Sequence, residues 1–238
     1  MPIRFVYFDL DDTLLDHHAA QEAALAAVHR DFAAHFDGHD LAEVQQVYAA
    51  ANRRLWQAYG EGRIDRHTLQ RERFAALVDQ CSMDGLDPLV LGSRYMKRYA
   101  EAWRWIDGAE AAFRRVAQQA SVGILTNGFA EAQHAKLDRF PVLRELSQTI
   151  VVSEEIGVMK PQLGIFAHAT EAAGVAPDEI LYLGDSWHSD VQGGTAFGWH
   201  VAWFRGDAER ASNLSGVSVI DDWSSFSLPA IYHSVSTH

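Results

Sequence analysis

From Asp107 onward the chain alternates short apolar segments with helical ones, and this alternation constrains the fold more than any other feature. A helix at about Ala109–Gln119 precedes Val122-Gly123-Ile124-Leu125, and a helix at about Ala130–Arg139 precedes Thr149-Ile150-Val151-Val152. Pro161 stands where a helix can start, because a first-turn proline gives up no hydrogen bond, and that helix runs to about Ala173. Ile180-Leu181-Tyr182-Leu183, a helix near Val191–Phe197 and His200-Val201-Ala202-Trp203-Phe204 complete the series. Strands joined through helices of this length run parallel, with helices on both faces of the sheet.

One strand stands apart from the others. Ile3-Arg4-Phe5-Val6-Tyr7-Phe8 is short, aromatic and β-branched, and it runs into Asp9-Leu10-Asp11-Asp12-Thr13, a buried strand ending in a polar turn. Between it and Trp105 the pattern is helical throughout. Leu25, Val28 and Phe32 form one stripe, and Leu41, Val44, Tyr48, Ala51 and Leu55 a second. Phe74, Leu77, Val78 and Cys81 form a third, and Leu91, Tyr95, Tyr99 and Trp103 a fourth. Breaks fall at Gly38, at Gly60-Glu61-Gly62 and from Gly85 to Pro88. The reading is an α/β, Rossmann-like core made of residues 1–15 and 107–238, with an all-helical unit, 16–106, inserted after the first strand. The segment from Asp221 reads as a weak helix with a mobile Ser/His-rich end behind it.

At 238 residues and 48% hydrophobic, the chain can build a sizeable core. A net charge of −12 argues against a nucleic-acid polymer as partner, since such binders present a basic face. The single cysteine, Cys81, excludes internal disulfides and Cys-pair metal sites. No apolar run approaches the roughly 20 residues that cross a bilayer. A cytoplasmic protein, monomeric or homodimeric, with no membrane partner is expected.

Ligands of an open parallel sheet bind at the carboxyl ends of its strands. The first strand delivers Asp9, Asp11, Asp12 and Thr13 to that edge, and the second delivers Thr126-Asn127. Lys160 comes shortly after the third, and the fourth gives Gly184-Asp185-Ser186 with Asp190 behind it. Carboxylates crowded at one edge raise one another's pKa unless cations intervene. A bound Mg²⁺, which takes oxygen ligands, and the Lys160 ammonium would both relieve this. A hard metal, an amine and small hydrogen-bonding groups suit a phosphoryl group, whose transfer needs positioning and charge neutralisation.

These four segments, in this order, resemble the motifs of haloacid-dehalogenase-superfamily phosphatases, and the helical insertion resembles that superfamily's small cap. Thr126-Asn127-Gly128-Phe129, Ser153-Glu154-Glu155-Ile156-Gly157 and Ser189-Asp190-Val191-Gln192-Gly193-Gly194 are similar to its pyrimidine 5'-nucleotidase and N-acylneuraminate-9-phosphatase members. The resemblance implies that Asp9 attacks phosphorus and becomes an aspartyl phosphate, and that Asp11 protonates the leaving alcohol and then activates water. It implies Mg²⁺ held by Asp9, the Asp11 carbonyl and Asp185, and phosphate oxygens held by Thr126, Asn127 and Lys160. Asp190 would orient Lys160 or a metal-bound water. The expected substrates are small phosphorylated metabolites, either nucleoside monophosphates or sugar phosphates.

Several plainer or rival readings compete with this one. Asp9 to Asp12 could be a helix cap worth about 1 kcal/mol, and Asp12 has no expected role beyond that. A calcium loop starting at Asp9 fails, because Leu14 stands where a glycine is needed and Ala20 where a glutamate closes the site. Thr126-Asn127-Gly128 could be merely a turn. In the insertion, Arg63, Arg66, His67, Arg71 and Arg73 form either a solvated helix face or a basic loop over an anionic substrate. His17 and His18 are candidates for a phosphotransferase or phosphomutase acid/base group. A zinc pair at His35 and His39 is disfavoured by Gly38 between them. Trp56, Tyr59, Trp103 and Trp105 read as packing. An acid at Asp11 favours phosphate esters over a dehalogenase, and the long helical insertion disfavours a phospho-accepting signalling module.

Overall fold

The computed structural model describes residues 2–36, 38–83, 85–224 and 226–228. By packing, the chain divides into two compact units, Met1–Asp16 with Trp105–His238, and His17–Arg104. Among the described residues no helix is long and apolar enough to cross a membrane.

The first unit opens with β1 (Phe5–Phe8). The helical unit holds α1 (His17–Asp31), α2 (Leu41–Gly60), α3 (Arg66–Gln80) and α4 (Pro88–Glu101). Three of these start on an aspartate cap. The Asp40 carboxylate accepts from Glu43 N while Glu43 reaches back to Asp40 N, Asp65 accepts from Thr68 N, and Asp87 accepts from Leu89 N ahead of Pro88. The apolar stripes meet in one core of Leu25, Val28, Val44, Tyr48, Phe74, Leu77 and Tyr95, in which the rings of Tyr48, Phe74 and Tyr95 lie 5.1–5.6 Å apart.

The first unit resumes with α5 (Ala109–Ala117), β2 (Ser121–Thr126), α6 (Ala130–Arg139), α7 (Val142–Leu146) and β3 (Ser147–Val152). It continues with α8 (Ser153–Ile156), α9 (Leu163–Ala173), β4 (Ile180–Gly184), α10 (Gly193–Phe197), β5 (His200–Phe204), α11 (Ala208–Ser212) and β6 (Val217–Ile220). The six strands form one parallel sheet flanked by helices, in the order β3-β2-β1-β4-β5-β6. All four residues of β1 are buried because both sheet faces are covered. Val6 and Phe8 pack with Phe113 and Trp223 on one face, and Phe5 and Tyr7 with Phe166 and Trp199 on the other. Phe8 pairs with Ile124 of β2 and with Leu183 of β4, so Asp9 leaves the sheet between the ends of those two strands.

Four expectations are corrected. β6 is a strand that the sequence pattern does not announce: four residues with a serine inside carry little periodicity, and pairing with β5 makes them a strand. The helix expected at Pro161 begins at Leu163, because Lys160 and Pro161 (joined by a cis peptide) form a turn tied to Asn127 instead. The helix expected near Val191 starts earlier, as a π-helical segment Trp187–Gln192 in which the Ser186 carbonyl accepts from both Asp190 N and Val191 N. Asp221–Ser224 is a turn rather than a helix, since Trp223 is drawn wholly into the core. The Ser/His-rich end lies outside the described residues.

Candidate active site

β1 does not stop at Phe8 for lack of partners. Asp9 N still donates to Leu183 O at 2.8 Å, which seats the Asp9 carboxylate at the carboxyl edge of the sheet. There Lys160 Nζ donates to Asp9 Oδ1 at 2.7 Å, to Asp190 Oδ1 at 2.8 Å and to the Tyr182 hydroxyl at 2.6 Å. An ammonium has three protons, so these partners engage all of them. The three charged side chains are nearly inaccessible, at 3% for Lys160, 8% for Asp9 and 1% for Asp190. Asp190 is also fixed through its other oxygen, which accepts from Ser186 N at 2.9 Å. It reaches this position because Gly184 has no side chain: a Cβ there would fall within 2.6 Å of the Asp190 carboxyl carbon.

Beyond Asp9 the chain departs from strand geometry. Asp12 adopts φ +58°, Asp12 N donates to Leu15 O at 2.7 Å, and the first helix begins only at His17, so Asp12 is a turn residue and not a helix cap. The turn sends Asp11 away from the lysine cluster. Its carboxylate takes Lys136 Nζ at 2.6 Å and 2.7 Å, one bond to each oxygen, and Gln133 Nε2 at 3.0 Å. Thr13, fully buried, donates through its hydroxyl to Asp185 Oδ1 at 3.2 Å, and its carbonyl accepts from the Trp223 indole at 2.9 Å.

At the end of β2, Thr126 is buried and its hydroxyl accepts from Gln133 Nε2 at 2.8 Å. The Asn127 side chain clasps the backbone of Lys160, with Nδ2 donating to Lys160 O at 3.0 Å and Oδ1 accepting from Lys160 N at 2.9 Å. The second strand end therefore sets the position of the third segment's lysine.

The electrostatics are unbalanced without a further cation. One ammonium faces Asp9, Asp185 and Asp190, whose carboxylate oxygens approach within 4.8 Å of one another. Burial first, and then the neighbouring carboxylates, lift Asp9 from 3.8 to about 7 against the pull of Lys160. Burial, then Asp190, Asp9 and Asp12, lifts Asp185 to about 8. Burial alone would lower Lys160, but Asp190 and Asp9 outweigh it and hold the lysine above its ordinary value. Burial and then Asp190 keep Tyr182 a neutral phenol. Asp190 has both oxygens committed, whereas Oδ2 of Asp9 and Oδ2 of Asp185 have no hydrogen-bond partner among the described residues. Two bare carboxylate oxygens in a buried acidic group, both inclined to take a proton, fit a hard divalent cation such as Mg²⁺.

Residues 3–198 match the family described as haloacid dehalogenase-like hydrolase. The chain belongs to that family. Among curated relatives of this hydrolase, the pyrimidine 5'-nucleotidase YjjG of Escherichia coli is 32% identical over 84% of each chain. The mouse N-acylneuraminate-9-phosphatase is 24% identical over 81% of this chain and 78% of its own. Among solved structures, the HAD-hydrolase YfnB of Bacillus subtilis, bound to magnesium, is 30% identical, covers 86% of this chain and 88% of its own, and superposes with a TM-score of 0.73.

In this HAD-like hydrolase, three residues of the site carry no motif signal. Tyr182 reads as a strand residue, and Gln133 and Lys136 read as the polar face of a helix, yet all three are buried against the candidate carboxylates. A lysine three residues from a glutamine, flanked by Ala135 and Leu137, was the available sign. The basic residues of the helical unit divide. Arg63 and Arg71 are exposed and paired with Glu61 and Glu72, and His67 is exposed. Arg73 is buried, 5.0 Å from the Phe74 ring and 5.9 Å from that of Tyr95. His17 Nδ1 lies 2.6 Å from the Tyr99 hydroxyl, while His18 is exposed beside Glu22. Trp56 packs on Tyr59, Trp103 on Tyr99, and Trp105 on Phe140. Among the described residues, His35 and His39 join no metal-competent cluster.

Proposed function

We propose that the chain is a Mg²⁺-dependent phosphomonoesterase acting on small phosphorylated metabolites, nucleoside monophosphates or sugar phosphates, through an aspartyl phosphate on Asp9. The observation that carries this reading is the division of labour between two carboxylates two residues apart. Asp9 has one oxygen neutralised by Lys160 and the other bare, while Asp11 is held by a different lysine. The names of the relatives, a pyrimidine 5'-nucleotidase and an N-acylneuraminate-9-phosphatase, support the substrate class.

Asp9 Oδ2 attacks phosphorus, and the bond to the ester oxygen breaks as that oxygen takes a proton from Asp11, which enters this step as the carboxylic acid and leaves it as the carboxylate. Asp11 then accepts a proton from water, whose oxygen attacks phosphorus and releases Asp9. Lys160 stabilises the nucleophile as a fixed charge rather than as a free donor, because its three protons are already engaged. Thr126 and Asn127 stand at the strand end where phosphate oxygens would be held. Asp9, Asp185 and the Asp11 carbonyl are the groups that would hold Mg²⁺, which when bound supplies charge neutralisation for the incoming phosphate. The unit His17–Arg104 is assigned the part of a cap that discriminates among leaving groups.

The test is turnover of p-nitrophenyl phosphate with and without Mg²⁺. Asp9→Asn should lower kcat by at least about 10³-fold, since a neutral amide cannot form the covalent intermediate. A fully active Asp9→Asn protein would refute the proposal.

A further inference from the structure

On α6 the inward face is not apolar. Its buried residues are Gln133, Lys136 and Leu137, so two of the three are polar. Residues three apart on a helix share a face, and Gln133 and Lys136 aim at one target. Lys136 reaches both oxygens of Asp11 at 2.6 Å and 2.7 Å, and its side chain is 4% exposed. Burying an ammonium carries a desolvation penalty even when it is paired, and an apolar residue would pack this face of α6 without it. The Gln133 amide touches Asp11 Oδ2 at 3.0 Å, Thr126 Oγ1 at 2.8 Å and the Asn127 carbonyl at 3.1 Å. It gets that close because Gly128 has no side chain: a Cβ there would stand 2.9 Å from the Gln133 amide.

We propose that Lys136 and Gln133 are positioning residues that hold the Asp11 carboxylate in the orientation from which it exchanges a proton with the leaving group. The inference rests on the phosphomonoesterase reading above and deepens it by naming the groups that govern its acid/base step. With a bond to each oxygen, the cradle removes the carboxylate's rotational freedom. Through the shared Gln133 amide it also ties Asp11 to the strand end bearing Thr126 and Asn127. Delivery of a proton then requires only that one oxygen be released, not that the side chain search for its place.

The experiment compares an alkyl phosphate, glycerol 2-phosphate, with p-nitrophenyl phosphate, whose leaving group needs little protonation. Lys136→Met should lower kcat on the alkyl ester by about 10²-fold and on the aryl ester by less than about 5-fold, with KM unchanged within about 2-fold. In an Asp11→Asn background the same substitution should cost nothing further, because the two residues act as one unit. Equal losses on both esters, or additive losses in the double variant, would overturn the inference while leaving the phosphatase reading intact. If Asp11→Asn itself shows no preference between the esters, the reading and the inference fall together. Should Lys136→Met not fold, Gln133→Met carries the same comparison with a smaller expected difference, and its failure to discriminate the esters overturns the inference equally.

Discussion

Replacing Gly184 by alanine tests whether the lysine cluster depends on the close approach of Asp190. The added Cβ would meet Oδ2 of Asp190 directly and stand 2.6 Å from its Cγ and 2.7 Å from its Cβ. Carbon contacts relax only near 3.5–4.0 Å, so the Asp190 side chain must retreat by about 1 Å. That retreat stretches the 2.9 Å bond from Ser186 N and the 2.8 Å bond from Lys160 past hydrogen-bonding range. Breaking a buried ion pair costs about 3–5 kcal/mol, with overpacking pulling in the same direction. At about 2–4 °C per kcal/mol for a chain of this size, the α/β unit should melt on the order of 10 °C lower. Lys160 would move with its partner, and on the proposed mechanism a shift of about 1 Å of that ammonium from Asp9 should lower kcat by about 10²-fold. The assay pairs a thermal melt with p-nitrophenyl phosphate turnover. Gly164→Ala serves as control, since its Cβ meets only Val158 at 3.3 Å. A Gly184→Ala protein that melts within about 2 °C of the parent and keeps its kcat would show that Asp190 is not what holds Lys160.

The buried acids and the buried indole each carry a further expected outcome. Asp9 and Asp185 hold protons up to about pH 7 and about pH 8 in the folded chain, against 3.8 for an ordinary aspartate. Between about pH 4 and pH 8 the folded chain therefore binds more protons than the unfolded one, so stability of the metal-free protein should fall as pH rises through that window. Mg²⁺ should restore it, raising the melting temperature more at pH 8.5 than at pH 5.5. A metal-free protein that is more stable at the higher pH would contradict this. Trp223→Ala should destabilise the α/β unit by about 3–5 kcal/mol, because it empties a wholly buried ring site stacked 4.8 Å from Phe204 and frees the Thr13 carbonyl. Chemical denaturation reads that loss, and a change below about 1 kcal/mol would mean the indole is not integral to the core.

Much of this architecture was legible because the carboxyl ends of parallel strands announce themselves. Asp9, Lys160 and Asp190 are distant in sequence, yet each comes after a strand whose neighbours can be read from the apolar pattern, and the structure brings all three within ion-pair reach. What escaped depends on contacts that no local pattern encodes. β6 is a strand only by pairing, and Trp223 looks like part of a helix until its indole finds the Thr13 carbonyl. Tyr182 belongs to an apolar run, and only its hydroxyl shows that one sheet face carries polar chemistry. Lys136 and Gln133 sit on a helix whose buried side could be assigned only once its neighbour, the Asp11 loop, was in place. The parting of Asp9 from Asp11 is likewise a matter of backbone shape, since the left-handed residue Asp12 ends the extended geometry.

The strand that carries Asp9 lies in the middle of the sheet, yet Phe5 pairs with Ser121 on one side and Ile180 on the other. Both partners lie more than 100 residues further along the chain, and closing such long loops is slow compared with forming helices. Within His17–Arg104, α2 packs on α3 and α3 on α4 across short loops, contacts that close quickly, while α1 packs on α4 from the far end of the insertion. Leu15 and Trp105 bridge where the insertion leaves and rejoins the sheet unit, so the two halves of the sheet chain meet at that point. The surroundings of Asp9 are thus completed only when β4 docks, and a chain made only as far as β3 carries that aspartate without Lys160 or Asp190 beside it.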